Sequence, residues 1–160
     1  MLNLIYKRSD IPHPLNGFGF VVPKTEKRNI IACSFASVKW AGRAPQDKVV
    51  LRIFLGGALQ PDVFDLSDEQ IECLAWEDLH TYLGINAMPL LSVISRFHRG
   101  MPQYNIGHLS VCQEIDKCMQ KLPSLAIAGN AYTGVGIPDC ISSGERAATH
   151  VLETAATRII

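Results

Sequence analysis

No charge of either sign dominates this chain. Fifteen Lys and Arg stand against fifteen Asp and Glu over 160 residues, so the formal net charge is zero. A neutral surface has no general electrostatic grip on polyanions, and nucleic acid is excluded as a primary partner on that ground. No apolar run approaches the roughly 20 residues that a membrane-spanning helix needs, so no transmembrane segment is expected. The first residues, Met1-Leu-Asn-Leu-Ile-Tyr-Lys, lack the basic-then-apolar layout of a secretory leader. No C-x-x-C occurs among Cys33, Cys73, Cys112, Cys118 and Cys140, and their number is odd. That favours reduced thiols in a cytoplasm, each read most simply as a small buried hydrophobe. The five histidines form no HxxxH or HxH pair, so no metal site is expected. Internal repeats and low-complexity segments are lacking too.

What is present is a globular composition, 48% hydrophobic, on a length that suits about one domain. The first half reads as strands: Leu2 to Tyr6, Phe18 to Val22 ending at Pro23, Asn29 to Val38, and Val49 to Leu55 ending at Gly56-Gly57. Polar or Pro/Gly-rich connections separate them, which predicts an antiparallel meander. The period then changes. Ser67-Asp-Glu-Gln is a capping box, and Ile71, Leu74, Ala75, Leu79, Tyr82 and Leu83 share one face of a helix over 67–83, stopped by Gly84. Asp78 falls inside that apolar stripe, and nothing in the local pattern accounts for it. Pro89 to Phe97 suggests a further strand. A second helix is predicted over 107–121, a short buried strand at Leu125 to Ala128, and a last helix from near Pro138. The inner face of that last helix includes Cys140, Ile141, Gly144, Ala147, Val151 and Leu152. Met88, Met101 and Met119 are read as core fillers. The fold class is mixed α/β.

The segment that carries chemistry is Leu125-Ala-Ile-Ala-Gly-Asn-Ala-Tyr-Thr-Gly-Val-Gly-Ile-Pro-Asp-Cys-Ile. Gly129, Gly134 and Gly136 let backbone come close to a flat or anionic ligand. The helix that follows presents unpaired amides and a partial positive charge, which stabilise an anion or an electron-rich carbonyl. A reduced flavin, whose N1 and C2 carbonyl gather negative charge, is one such ligand; plain strand–turn–helix packing is the simpler alternative. Gly129 through Ile141 with Ser143-Gly resembles the C-terminal flavin motif of oxygen-dependent protoporphyrinogen oxidases and their coproporphyrinogen-oxidising relatives. Pro14-Leu-Asn-Gly-Phe-Gly-Phe-Val-Val-Pro, Gly42-Arg-Ala-Pro with Phe54-Leu-Gly-Gly, and Met101-Pro-Gln-Tyr-Asn-Ile-Gly-His resemble further segments of that family in the same order. The resemblance runs from about residue 2 to residue 155.

The resemblance implies FAD as cofactor, a porphyrinogen as substrate and dioxygen as acceptor, in haem biosynthesis. It implies backbone contact of Val135, Gly136 and Ile137 with the flavin ring. It places Gly129 and Asn130 toward the ribityl chain, with Asn130 alternatively capping its own backbone. Phe97 packs on the ring edge or is a core aromatic ending a strand. Gln103 and Tyr104 face substrate or fix the turn. Asp139 is a helix-dipole partner, structural rather than catalytic. Arg43 and Arg52 are candidates for porphyrinogen carboxylates. No catalytic side chain is expected, since no nucleophile–base pair is evident and the cofactor carries the chemistry.

Residues 1–100 then read as a partial substrate-binding domain, with part of an antiparallel sheet and the 67–83 helix. Residues 101–160 read as the C-terminal part of an FAD-binding domain. The family's G-x-G-x-x-G dinucleotide site has no counterpart here. The chain thus looks like the last third of a complete enzyme, with the FAD-binding half interrupted in the same gene or carried by a separate chain. A cytoplasmic protein is expected, free or peripheral on the inner face of the membrane. Two other readings stand beside this one: a non-catalytic remnant or interaction chain, and another member of the flavin amine oxidase superfamily.

Overall fold

Period-two alternation sets the first strand, β1 (Leu2–Lys7). Leu2, Leu4 and Tyr6 take one face and are buried, while Asn3 and Ile5 take the other. The same alternation buries Val49, Leu51 and Ile53 in β4 (Lys48–Leu55). The computed structural model describes residues 1–98 and 100–157. It divides into two units, Met1–His98 and Arg99–Ile160, and residues 158–160 of the second lie outside the described residues.

The first unit is a five-stranded antiparallel sheet in the order β2-β3-β4-β1-β5, with β2 (Gly19–Val21), β3 (Ile30–Phe35) and β5 (Leu91–Ile94). The expected meander holds from β2 to β4 and fails at β1, which sits between β4 and β5. The connector after β1 explains this. Arg8 donates to the carbonyls of Ile11 at 2.7 Å and His13 at 3.1 Å, and Ile11 and Leu15 are buried. That packed connector carries the chain to the far edge, where β2 pairs with β3 instead.

β3 contains one residue too many for strict alternation. Ile30 pairs with Leu55 and Ala32 with Phe54, so Ile31 is the extra residue of a bulge. The bulge lets Ile30 and Cys33, three apart in sequence, both face the core. The long strand expected over 29–38 ends at Phe35. The chain must turn to reach β4, and it does so in the short helix α1 (Ala36–Lys39), where Ser37 Oγ accepts from the Val50 amide at 3.1 Å.

Helix α2 (Asp68–Leu83) begins in the expected capping box. Ser67 Oγ accepts from the Gln70 amide, and Gln70 Oε1 accepts from the Ser67 amide. Gly84 ends it in the left-handed region at φ 69°. Ile71, Ala75, Leu79 and Leu83 are buried, and the last three join the sheet's core. Asp78, 1% exposed, now has an account. Its Oδ2 accepts from the amides of Asn29 at 2.8 Å and Ile30 at 2.9 Å, and the Arg28 guanidinium lies 3.7 Å from its Oδ1. The carboxylate therefore fixes the start of β3 just ahead of the bulge.

The second unit holds α3 (His108–Met119) and α4 (Ile137–Thr157). The strand expected at Leu125 to Ala128 is not formed. A strand needs a neighbour, and no strand lies among the unit's described residues. Ser143 is the one buried residue among 100–156. Ile141 and Leu152, expected on the inner face of α4, are exposed. Cys73 and Cys118 are exposed rather than buried because each falls off the apolar stripe of its helix. Met88 and Met101 are exposed too, outside any core. No described helix is long and apolar enough to cross a membrane.

Two stability outcomes follow. Asp78→Ala leaves two main-chain amides without their acceptor and should cost about 3 kcal/mol, read from urea unfolding of the first unit. Burial pushes the Cys33 thiol up to about 12 from 9.0, and burial first, then Cys33 and Glu72, pushes the Tyr6 phenol up to about 12 from 10.0. The folded state keeps protons that the unfolded chain has already released. Stability is therefore full below pH 9.0 and falls as pH rises toward about 12. Cys33→Ala should flatten the thiol's share of that fall; an unchanged alkaline slope would show that the thiol is not buried as described.

Candidate functional site

Five hydrogen bonds involving side chains shape the loop between α3 and α4. Tyr104 Oη donates to the Asn130 carbonyl at 2.7 Å. His108 Nε2 donates to the Tyr132 carbonyl at 2.8 Å, and the Cys112 thiol reaches the same carbonyl at 3.4 Å. The Gly129 amide donates to Ser143 Oγ at 3.1 Å, and the Gly136 amide to Asp139 Oδ2 at 3.1 Å. The first three come from the α3 side and the last two from α4, so both helices hold the loop. The Tyr104 and His108 rings stack at 4.0 Å with 10° between planes, which orients the two donors together. Desolvation, then the neighbouring Cys112, Cys140 and Asp139, push the Tyr104 phenol up.

Gly134 has φ +80°, and a Cβ there would meet the Asp139 Cβ and Cγ at 2.5 Å. A Cβ at Gly136 would meet Asp139 Oδ2 at 2.9 Å. The group that approaches these two glycines is the chain's own carboxylate. Beyond it the turn opens to solvent: Val135 is 52% exposed and Ile137 78%. Gly129 sits at φ +122° with nothing within 4 Å of a built Cβ.

Five of the six expected site residues, Gly129, Asn130, Val135, Gly136 and Ile137, are therefore gathered along this one loop. The sixth, Phe97, belongs to the first unit and is 63% exposed, which removes its reading as a core aromatic. The sequence reading gives Ser143, His108 and Cys112 no site role, although Ser143 and His108 lie within the resembling segments. A serine among the small residues of an apolar helix face is the signal that could have marked Ser143. Beside the loop lies a cavity of about 320 Å³, lined by Cys112, Ile115, Ile127, Tyr132, Ser143 and Arg146 among others.

The first unit contributes a second surface, the sheet face opposite its core. By register this face carries Asn3 and Ile5, Val50, Arg52 and Phe54, and Leu91 and Val93. Phe54, Leu91 and Val93 are exposed. Arg52 Nε donates to Asn3 Oδ1 at 3.0 Å, so its guanidinium is held within an otherwise largely apolar sheet face. Arg43 lies in an exposed loop.

Comparison with known proteins decides the family. The sequence profile of the family described as flavin containing amine oxidoreductase matches residues 2–152. The chain belongs to that family. A coproporphyrinogen III oxidase of Bacillus subtilis (strain 168) is 36% identical over 137 residues, 85% of this chain and 29% of its own length. The mitochondrial protoporphyrinogen oxidase of Nicotiana tabacum is 29% identical over 150 residues, 92% of this chain and 30% of its own. A crystal structure from Exiguobacterium sp. 255-15, described as "Putative protoporphyrinogen oxidase", is 30% identical with a TM-score of 0.78, covering 99% of this chain and 34% of that one. The chain spans about a third of the length of these relatives. A flavin is the cofactor class that the family implies.

The loop geometry can be checked at two points. Ser143→Ala removes the acceptor of the Gly129 amide, which should exchange its proton about fivefold faster or more, for a loss of about 1 kcal/mol. Gly134→Ala forces a Cβ onto Asp139 at a left-handed backbone position and should cost about 1–3 kcal/mol, seen as faster exchange at Gly136 as well. Native exchange at Gly136 in the Gly134→Ala variant would contradict the described turn.

Proposed function

We propose that this chain serves the FAD-dependent oxidation of a porphyrinogen, protoporphyrinogen or coproporphyrinogen, to the porphyrin, with dioxygen as acceptor. The observation that carries this reading is the fixed turn at 134–137, exposed at Val135 and Ile137, in a chain of a flavin family whose matched relatives are named for porphyrinogens. The residues present fit one end of a flavin. Val135 and Ile137 offer apolar side chains, and their amides flank Gly136 at the start of α4. Gly129 and Asn130 border the ribityl chain. When bound, the flavin supplies two-electron acceptance from the tetrapyrrole carbon framework and delivery of those electrons to dioxygen. The chain's own part is to bind and orient. The sheet face with Phe54, Leu91 and Val93 offers an apolar floor, and Arg52, held by Asn3, offers a donor for a substrate carboxylate.

In this reading residues 1–100 are part of a substrate-binding domain and residues 101–160 the C-terminal part of an FAD-binding domain. The dinucleotide seat comes from the FAD-binding half, on the same polypeptide or on a separate chain. Five free cysteines suit a reducing cytoplasm. A second reading, a non-catalytic interaction chain, draws its support from the exposed Leu109, Ile141 and Leu152 of the second unit.

The protein isolated from its source with whatever polypeptide accompanies it, supplied with FAD and oxygen, should turn either porphyrinogen into a fluorescent porphyrin. Flavin loading without porphyrin fluorescence, together with turnover of an amine, would move the assignment to another branch of the superfamily. Neither loading nor turnover would favour the interaction chain.

A further inference from the structure

The carboxylate of Asp139 closes the turn that opens α4. Its Oδ2 takes the Gly136 amide at 3.1 Å, and it fills the space beside both Gly134 and Gly136. Pro138, next in line, has no amide proton. A ligand seated on this turn is left with the amides of Val135 and Ile137, which find no acceptor among the described residues and lie on either side of the one Asp139 occupies. The partial positive charge at the start of α4 is already met by a full negative charge in its first turn. A ligand that covers the turn also excludes water from it, which strengthens the Coulomb interaction with that carboxylate.

We propose that Asp139 is a positioning residue that biases this turn against added negative charge, so that it holds oxidised flavin in preference to reduced flavin. The inference rests on the flavin reading of the turn given above, and it assigns to Asp139 a role beyond capping. Oxidised flavin carries no charge on its ring, whereas two-electron reduction leaves negative charge at N1 and the C2 carbonyl. A carboxylate fixed on the Gly136 amide would penalise only the second state. The flavin's reduction potential on this turn is then lowered by the protein's own side chain, which disfavours electron uptake from substrate and favours electron delivery to dioxygen.

Asn in place of Asp139 separates charge from capping, because the amide oxygen still accepts from Gly136. The chain, labelled with ¹⁵N and joined by the polypeptide that supplies the dinucleotide seat, is titrated without oxygen with FAD and with dithionite-reduced FAD, following the Gly134 and Gly136 amide shifts. Asp139→Asn should leave the affinity for oxidised FAD within about twofold and tighten that for reduced FAD about tenfold. For a two-electron couple that ratio corresponds to a rise of about 30 mV in potential. Glu145→Gln removes a like charge nearly two turns further along α4 and should leave the ratio unmoved. Asp139→Ala, which loses cap and charge together, should speed exchange at Gly136 while Asp139→Asn does not. Binding of both redox forms with a ratio unaltered by Asp139→Asn overturns this inference alone. No shift of either amide with either form overturns the flavin reading of the turn, and this inference with it.

Discussion

The carboxylate of Asp78 is taken out of water to receive two main-chain amides, those of Asn29 and Ile30. Those amides open β3, and one residue later the strand carries its bulge at Ile31. Bulge and carboxylate act as one device. The helix supplies the acceptor, the acceptor fixes where the strand starts, and the start fixes which side chains of β3 fall inward. Without that phase, Ile30 and Cys33 would face opposite sides of the sheet. A buried charge is costly by itself, and here hydrogen bonds from the backbone and the nearby Arg28 offset that cost. The interior of the first unit, from Leu2 to Ile85, is arranged around that registration.

The second unit is built on another principle. With Ser143 alone buried among residues 100–156, apolar burial does little to hold its shape. Hydrogen bonds take that place: two carbonyls, of Asn130 and Tyr132, are gripped from the α3 side, and two amides, of Gly129 and Gly136, from α4. Such contacts are directional, so they fix a loop's outline with little interior. They also leave the tip at Val135 and Ile137 uncommitted. A rigid outline with an open end is the combination that results.

What was legible in the sequence follows how far apart the partners lie. The capping box at Ser67 and Gln70 and the stop at Gly84 involve neighbours, and both formed as read. Asp78 was legible only as an anomaly, because its partners lie 48 and 49 residues away. The bulge at Ile31 leaves no local signature, since a run of apolar residues suits either face. Leu125 to Ala128 misled because β propensity describes a segment, whereas a strand is a property of a pair. At the loop, glycines and Asp139 were legible as a motif with an acid in the first helical turn. That the acid would fill the space beside the glycines was not legible, because φ values and Cβ distances are not written in residue types. A turn-fixing role for Tyr104 was legible but not its partner, the Asn130 carbonyl, and the grip of His108 on the Tyr132 carbonyl escaped for the same reason.

The rims of the sheet bear on how this chain behaves at high concentration. β2 contributes three residues and β5 four, so each rim offers very few unpaired backbone groups. Long, flat rims recruit other chains into continuous ladders; rims this short give an incoming strand too few bonds to offset its ordering. Lys24 and Lys27 stand just past the β2 end and add repulsion between like molecules. Exposed apolar side chains on this protein therefore favour side-chain association that can reverse, rather than growth of a cross-strand fibre.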